Sequence, residues 1–186
     1  MKTPSAIRGF THDYFYLSNF FPCEIPYEGL TFHSTENAFH AAKYPLETRV
    51  FFVTCTPCEA KKHGRSPMEP AALREWDAGR KLRVMLELNL TKFITHTYLR
   101  DRLLNTGNSY LEETNDWGDT YWGVMDGKGL NMLGHILMTV RAYIRSIWMP
   151  LAPGGMKFPN ADILTDLASK LQHTIPADGD RFENGE

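Results

Sequence analysis

The sequence predicts a mainly α-helical protein of the α+β class, a compact multihelical domain with one small β-hairpin near its N-terminus. Apolar residues recur at helical spacing over residues 80–93 and 133–148, and two short β-prone runs flank Glu28-Gly29. The chain has 186 residues, of which 42% are hydrophobic. That content is enough for the core of one sizeable domain, and it argues against a chain that is disordered throughout.

The first β element is expected within residues 10–33, which we interpret as extended. The β-prone runs on either side of Glu28-Gly29 predict a hairpin, because this dipeptide suits a tight turn between two short strands. Pro26 places at least one of these strands at an edge, since proline has no N–H to donate to a neighbouring strand.

Helical signals dominate the rest of the chain. A first helix is expected to begin at a Ser34 or Thr35 cap and to end before Pro45. Further helices are predicted over residues 46–53, 59–63, 71–76, 80–93, from 95 or 97 to 104, 133–148 and 160–173, and one strand over residues 110–114.

The proline- and glycine-rich residues 150–155 predict a linker. Residues 1–149 are therefore expected to form one domain, and residues 150–186 a linker, a C-terminal helix and an acidic tail that is frayed. The apolar stripe of that last helix comprises Ile163, Leu164, Leu167 and Leu171.

Charge and hydropathy exclude several classes of protein. A formal net charge of −2 argues against a protein held on nucleic acid by bulk electrostatics alone, although a local basic patch is compatible with it. No apolar run reaches the roughly 18 residues that a membrane span needs, and residues 1–5 do not resemble a secretion signal. We expect a soluble, cytoplasmic protein, and the sequence predicts no oligomeric state.

The three cysteines are an odd number, which fits a reducing compartment better than a disulfide framework. Cys55 and Cys58 have the spacing of a redox pair or of half a zinc site, but no βαβ pattern surrounds them. Cys23 and His63 do not complete a common zinc-finger spacing. We favour the alternative that Pro57 occupies the first position of a short helix, and we expect no metal.

The first predicted helix carries the most informative pattern. Glu36, Phe39, His40 and Lys43 share one face, because residues three and four apart on a helix are neighbours. A carboxylate, an imidazole, an amine and an aromatic ring on one wall can serve proton transfer and nucleophilic attack. The alternative is a solvated face, which spacing alone favours because motif matches give many false positives.

A second candidate region is residues 115–134, where two Trp, one Tyr, three Asp and several Gly occur without a clear period. Large rings on a polar, glycine-rich loop indicate a pocket in which aromatic faces stack on a base. Gly127-Lys128-Gly129 comes just before a helix start, where backbone N–H groups and the helix dipole favour an anion. An ordinary turn capped by Asn131 explains the same residues equally well.

Three isolated residues have both a structural and a functional interpretation. Arg65 ends a basic cluster and has the fork geometry that binds phosphate, but cations at a helix end also compensate the helix dipole. Trp76 suits either the core or a binding site. Asn19 lies in an aromatic run, where it can satisfy a loop backbone or bind a ligand hydroxyl.

An ordered set of short motifs runs through most of the chain. The motifs are Leu17-Ser18-Asn19-Phe20, Gly29-x-x-Phe32, Ser34-Thr35-Glu36-x-x-x-His40-Ala41-x-Lys43, Gly64-Arg65, Trp76, Asn115, Asp119-x-Tyr121-Trp122-Gly123 and Gly127-Lys128-Gly129-x-Asn131-x-Leu133-Gly134-x-x-Leu137-Met138-x-x-Arg141. This set resembles the NADAR family, also called the YbiA-like or riboflavin-biosynthesis-intermediate N-glycosidase-like family. The resemblance begins near residue 13 and ends near residue 145. The family usually has an aromatic ring and Gln where this chain has Phe39-His40-Ala41.

The resemblance implies a compact, mostly helical domain that cleaves the N-glycosidic bond between ribose C1 and a base-like amine. It implies no metal and no organic cofactor. The substrate classes of the family are ribosylamino-pyrimidine phosphates of the riboflavin pathway and ADP-ribose attached to guanine in nucleic acid. Some members occur near NAD and ADP-ribose metabolism.

The resemblance also implies roles for individual residues. Glu36, Lys43 and Asp119 are the expected catalytic residues, with Lys128 as the rival of Lys43 for the reactive amine. The aromatic side chains frame the base, and Arg65 and the glycine turn hold phosphate. The expected substrate-binding residues are Asn19, His40, Arg65, Trp76, Tyr121, Trp122, Gly123, Gly127, Lys128, Gly129 and Asn131.

Two other hypotheses stay open at this point. A binding module that senses ADP-ribose or a nucleotide without cleaving it would use the same residues, but Glu36 and Lys43 would be dispensable. A zinc or thiol protein would instead depend on Cys55 and Cys58. The expected partner is a small nucleotide or ribosyl phosphate, or an ADP-ribosylated nucleic acid, and no membrane.

Overall fold

The structure is a computed structural model that describes residues 4–148 and 161–173. Helices dominate it, and the strands are three residues long. The strands are β1 (Ala6–Arg8), β2 (Ile25–Tyr27), β3 (Leu30–Phe32) and β4 (Tyr110–Glu112). The α-helices in these ranges are α1 (Thr35–Ala41), α2 (Val50–Thr54), α3 (Pro57–His63), α4 (Pro70–Glu75), α5 (Lys81–Thr95), α6 (Thr97–Asn105), α7 (Met132–Trp148) and α8 (Ala161–Gln172). This architecture confirms the mainly helical α+β prediction.

The centre of the core is α5, whose side chains are buried almost all round the helix. It packs against α1, α6, α7, α8 and β2, so it has no face left for solvent over most of its length. Leu82, Met85, Leu86, Leu90 and Phe93 of this helix are all buried. Burial of these side chains from water is the main source of stability in such a domain.

The N-terminal region differs from the extended chain that we expected. Residues His12–Leu17 form a 3₁₀-helix, and β1 precedes it and pairs in parallel with β4, with Ile7 opposite Leu111. The sequence did not predict β1, because a three-residue strand has too short a period to detect. Its partner also lies about a hundred residues later in the chain.

The hairpin around Glu28-Gly29 is confirmed. Strands β2 and β3 pair in antiparallel fashion, with Tyr27 opposite Leu30. The two turn residues both have positive φ, 44° for Glu28 and 80° for Gly29, as the tight turn that matches the twist of a hairpin requires.

Helix α1 begins with the predicted Ser34 cap, whose side-chain oxygen accepts a hydrogen bond from the Asn37 N–H at 3.1 Å. The Asn37 side chain then joins α1 to α2, since its Nδ2 donates to the carbonyls of Phe52 at 3.0 Å and Cys55 at 2.8 Å. All of these residues are buried, so the network fixes the first helix against its neighbour.

The start of α3 confirms the structural interpretation of the Cys55–Cys58 segment. Pro57 is at the first turn, and Thr56 and Glu59 form a capping box in which each side chain bonds the backbone of the other. Cys55 is buried and Cys58 is exposed. No group of three or more His, Cys, Asp or Glu side chains with metal-binding geometry occurs in the part of the chain that the structure describes.

Between α4 and α5 the chain makes a wide turn at Trp76–Arg80. The N–H of Lys81 donates to the carbonyl of Trp76, five residues earlier, and Gly79 adopts a φ of 115°. Such wide turns interrupt a helix and re-aim its side chains. Here the turn directs the Trp76 ring toward α1, against Phe39.

The C-terminal helices pack against the core, and the predicted apolar stripe of α8 is confirmed except at Ile163. In α7, Ile136, Leu137, Val140 and Ile144 are buried, whereas Ile147 is half-buried. In α8, Leu171 is buried within the same core, and Leu164 and Leu167 pack against it. Ile163 belongs instead to the exposed side of α8, where 39% of its surface remains accessible.

The predicted linker at residues 150–155 and the acidic tail at residues 176–186 lie outside the described residues. The division at residue 149 therefore stays a prediction. Across residues 4–148 and 161–173, no helix combines the length and the apolar character needed to cross a membrane.

Replacing Asn37 with alanine is expected to lower the free energy of unfolding by about 2–3 kcal/mol, because two buried carbonyls lose their donor. Asn108→Ala is the matched control, since the Asn108 side chain is exposed and accepts only a surface bond from Arg145. That control should change stability by less than about 1 kcal/mol. Urea denaturation of both variants measures the difference, and equal losses would contradict the role of Asn37.

Candidate active site

Glu36 and His40 form a buried pair on α1. The His40 Nε2 lies 3.0 Å from Glu36 Oε1, and the two residues are only 6% and 7% exposed respectively. Every other residue of α1 is also buried, so the solvated-face interpretation of this helix is wrong. A carboxylate enclosed in this way must have a partner, because an unpaired charge away from water is costly.

Burial lowers the pKa of His40, although its bond to Glu36 acts in the opposite direction. The ring is therefore neutral near pH 7, and its Nε2–H donates to the carboxylate. The other ring nitrogen, Nδ1, is buried and has no hydrogen-bond partner among the described residues.

The neighbour that encloses the His40 ring is Gly64, at the end of α3. A methyl group at Gly64 would overlap the His40 ring, including Nδ1. Gly64 has an ordinary helical φ of −67°, so the backbone conformation does not require glycine here. Glycine is required because α3 approaches α1 so closely at this point.

Lys43 follows α1 and is held over the same region. Its Nζ donates to the Gly64 carbonyl at 2.8 Å and lies 5.7 Å from the ring centre of Phe39 and 5.6 Å from that of Trp76. Burial lowers the pKa of Lys43 to about 8, with the charge of Arg65 contributing in the same direction and that of Glu36 opposing it. An appreciable fraction of this amine is therefore uncharged, and so nucleophilic, at slightly alkaline pH.

Four aromatic rings meet beside these groups. The ring centre of Phe39 lies 5.1 Å from Trp76 and 5.5 Å from Trp122, and that of Tyr121 lies 4.8 Å from Trp122. Trp76 is only 5% exposed, whereas Tyr121 and Trp122 are half-buried. Trp76 is therefore a buried residue that packs against Phe39 and Lys43. The Tyr121-Trp122 pair is the more exposed part of the cluster and can contact a ligand.

Asp119 supports that ring pair from within its own loop. One carboxylate oxygen accepts from the N–H groups of Tyr121 at 3.2 Å and Trp122 at 2.8 Å. The Asn115 side chain in turn donates to the Asp119 carbonyl at 2.7 Å and accepts from its N–H at 3.0 Å. These bonds make Asp119 an anchor of the loop in this structure.

At the turn before α7, where we expected phosphate to bind, the first backbone N–H groups of the helix donate to carbonyls of the preceding loop. The N–H groups of Met132 and Leu133 donate to the carbonyls of Tyr121 and Trp122 at 3.1 and 3.0 Å. Gly127 and Lys128 lie in a tight turn, in which the Lys128 N–H donates to Met125. The ordinary-turn interpretation therefore describes this backbone, because the helix start has already found its acceptors.

Asn131 and Asn19 also have structural partners. Asn131 is 2% exposed, donates to the Tyr110 hydroxyl and the Leu111 carbonyl, and accepts from the Glu113 N–H at 3.0 Å. The Asn19 side chain contacts Met85 and Asn89 in the core, while the backbone carbonyl of Asn19 accepts from the Glu36 N–H at 3.0 Å. Both residues thus hold the backbone that surrounds the candidate site.

The remaining predicted residues lie around this centre. Gly123 is buried, and Gly129 has a φ of 142°, which an L side chain rarely adopts. The side chains of Arg65 and Lys128 are exposed, and the charge of Arg65 acts on Lys43.

Sequence reasoning missed two charged groups at this centre. Lys61 lies 5.1 Å from the ring centre of Trp117 and 5.6 Å from that of Phe20. Glu113 is a half-buried carboxyl whose electrostatic neighbours include Glu36. The basic cluster signalled Lys61, but no local pattern distinguishes Glu113 from the adjacent Glu112.

Comparison with known proteins identifies the family of this chain. The NADAR domain model matches residues 8–145. The chain belongs to the NADAR family. An N-glycosidase of Nostoc punctiforme is 35% identical to this NADAR chain over 136 residues, which cover 70% of the chain and 85% of that protein.

Two further relatives extend the comparison. N-glycosidase YbiA of Escherichia coli is 33% identical over 132 residues, 69% of this chain and 81% of YbiA. The NMR structure of YbiA superposes with a TM-score of 0.70 at 29% identity, and the match covers 82% of this chain and 92% of that one. A riboflavin biosynthesis protein of Vibrio vulnificus is 33% identical over 128 residues, 68% of this chain and 34% of that protein.

Gly64→Ala is expected to destabilise the protein by about 1–3 kcal/mol, because the new methyl group overlaps the buried His40 ring. Removing that ring should relieve most of the overlap and leave only the 2.8 Å contact with Cβ of residue 40, so the Gly64→Ala, His40→Ala double variant should be more stable than the sum of the single effects implies. Thermal or urea unfolding of the wild type, the two single variants and the double variant completes this double-mutant cycle. Strict additivity would contradict the contact between the two residues.

Proposed function

We propose that the protein is an N-glycosidase that hydrolyses the bond between ribose C1 and the amine nitrogen of a base-like group. Its curated relatives in Nostoc punctiforme and Escherichia coli are named N-glycosidases, and we assign this chain to the same class of enzyme. The observation that carries the proposal is the buried Glu36–His40 pair, which lies on the same helix as Phe39 and just before the Lys43 amine.

A carboxylate is the group that this reaction needs at C1. As the C1–N bond breaks, positive charge develops on C1 and the ring oxygen, and a fixed negative group stabilises that charge without reorganising. His40 fixes the orientation of Glu36 through the 3.0 Å bond. Glu36 is therefore the group that we place against the sugar.

Lys43 offers a second route through the same site. The ribosylamine ring can open to an imine, and the neutral lysine amine can add to C1 and expel the base as a free amine. Water then hydrolyses the resulting lysine Schiff base and restores both the amine and the sugar. The lowered pKa of Lys43, about 8, supports this role because it increases the neutral fraction.

The other groups suit a substrate that carries a base and a phosphate. The Tyr121-Trp122 pair provides ring faces for the base. Arg65 contributes a guanidinium that can bind phosphate through two parallel bonds. We propose that the substrate is a ribosylamino-pyrimidine phosphate or ADP-ribose attached to guanine, which share the C1–N bond and a phosphorylated ribose.

The Vibrio vulnificus relative is named a riboflavin biosynthesis protein, which supports testing the ribosylamino-pyrimidine phosphate first. A cytoplasmic location fits either substrate. A module that binds ADP-ribose without cleaving it would leave the substrate intact, so a product measurement separates that hypothesis from ours.

Glu36→Gln is expected to lower kcat by about 10²–10⁴, the range for loss of a charged catalytic group, while preserving the fold. Glu47→Gln is the matched control, since Glu47 is exposed in the 3₁₀-helix Leu46–Thr48. Mass spectrometry detects ribose 5-phosphate released from the pyrimidine substrate, or ADP-ribose released from modified guanine. Undiminished release by Glu36→Gln would contradict the proposal, and binding without release by the wild type would favour the sensor.

Borohydride reduction during turnover is expected to trap the sugar on Lys43 as a stable amine adduct, located by peptide mass spectrometry. The lowered pKa of Lys43, about 8, leaves a neutral fraction of this amine near neutral pH, and that fraction is the nucleophile. Lys43→Arg keeps the charge and should abolish trapping, whereas Lys128→Arg should not. An adduct on Lys128 would transfer the role to that residue, and no adduct in an active wild type would contradict the covalent route.

A further inference from the structure

The backbone of Glu113 is fixed just beyond the end of β4. Its N–H donates to the Asn131 side chain at 3.0 Å, and its carbonyl accepts from the Val124 N–H at 2.7 Å. Asn131 precedes α7 and Val124 follows the Trp122 loop. Glu113 is therefore held by both segments that surround the aromatic pair.

The Glu113 side chain has one oxygen with no partner. Its Oε2 is buried and makes no hydrogen bond within residues 4–148 and 161–173. By contrast, Glu36 has its Oε1 bonded to His40. A buried carboxyl oxygen that lacks a donor is unfavourable if its only role is to pack.

The charged groups that face Glu113 come from three other parts of the chain. They are Glu36 from α1, Asp119 from the aromatic loop and Lys61 from α3. Burial, together with the two carboxylates, raises the pKa of Glu113 to about 7, whereas Lys61 acts in the opposite direction. Two carboxyls in one site with such different surroundings commonly divide into an acid and a base.

Gly123 provides the space for this arrangement. A side chain at Gly123 would meet the Glu113 carbonyl, would lie 2.6 Å from Asn115 Nδ2, and would lie 3.2 Å from Glu113 Cγ. The residue after Trp122 must therefore be small for Glu113 to occupy its position. Because Gly123 directly follows Trp122, this contact places the Glu113 carboxyl close in the fold to the ring that we expect to contact the base.

We propose that Glu113 is the general acid of the reaction, which gives its proton to the leaving nitrogen while Glu36 faces C1 of the sugar. The inference rests on the N-glycosidase function proposed above. When the C1–N bond breaks, its electron pair stays on nitrogen and the Glu113 proton completes the amine. The water that adds at C1, or at the Lys43 Schiff base, then returns a proton to Glu113.

The test compares Glu113→Gln with Glu112→Gln. Glu112 is the matched control because it is adjacent in sequence but pairs with Arg8 at 3.3 Å and Thr114 at 3.2 Å. The substrates are N-ribosyl arylamine 5-phosphates whose leaving amines range from basic to electron-poor. Glu113→Asp, which keeps the acid on a shorter side chain, should recover part of the lost rate.

Glu113→Gln is expected to lower kcat/KM by about 10²–10⁴ for the basic leaving amines. The loss should shrink as the amine becomes electron-poor, because such an amine departs without a proton. In the wild type, kcat/KM for the basic amines should fall as the pH rises through about 7, where Glu113 loses its proton. Glu113→Gln should lack that decline.

A loss in Glu113→Gln that is the same for every leaving amine would indicate a structural role and overturn the inference. Wild-type rates with an unchanged pH profile would overturn it as well. In both cases an inactive Glu36→Gln beside an active wild type would leave the N-glycosidase function intact. If the wild type releases no amine from any substrate, the proposed function fails and the role of Glu113 fails with it.

Discussion

The close packing of α3 on α1 is the constraint on which the candidate site depends. Gly64 has no side chain, so its α-carbon lies directly against the His40 ring, and that ring holds Glu36 through a 3.0 Å bond. The Gly64 carbonyl also accepts from Lys43 at 2.8 Å. One glycine therefore contacts the imidazole directly, the carboxylate through that ring and the amine through its carbonyl, so we expect an added methyl group there to disturb all three. The hydrogen bonds from Asn37 to the residues before α3 hold the other side of α1.

The loop before α7 carries the Tyr121-Trp122 pair, and its backbone is hydrogen-bonded to the start of that helix. Helix N-termini have N–H groups without internal partners, and in this chain the carbonyls of Tyr121 and Trp122 accept from two of them. The rings are consequently fixed relative to a long core helix, although they lie on an irregular segment. Asp119 stabilises the loop because its carboxylate accepts hydrogen bonds from the N–H groups of Tyr121 and Trp122. Gly123 leaves the space that Glu113 needs. The first two N–H groups of α7 are therefore used to build the loop.

The sequence could predict features that depend on local spacing, and it failed where contacts cross long distances. The i, i+4 spacing placed Glu36 one turn before His40, and the 3.0 Å bond follows from it. The hairpin turn at Glu28-Gly29 and the capped start of α3 were predictable for the same reason. The glycine turn before α7 was ambiguous, because only the fold shows that loop carbonyls reach the helix start. Glu113 was missed because two of the groups that face it, Glu36 and Lys61, lie more than fifty residues earlier in the chain.

We propose that the bond to be cleaved lies between the Glu36 carboxylate and the Lys43 amine, beside the Tyr121-Trp122 pair. A crystal structure of the Glu36→Gln protein with an uncleaved ribosylamine 5-phosphate tests this claim most directly. We expect C1 of the sugar within about 4 Å of the side chain at position 36, which is the separation that reaction requires, with the base against the Trp122 ring. A sugar bound elsewhere, for example at the exposed turn that carries Lys128, with position 36 remote from C1, would contradict the account.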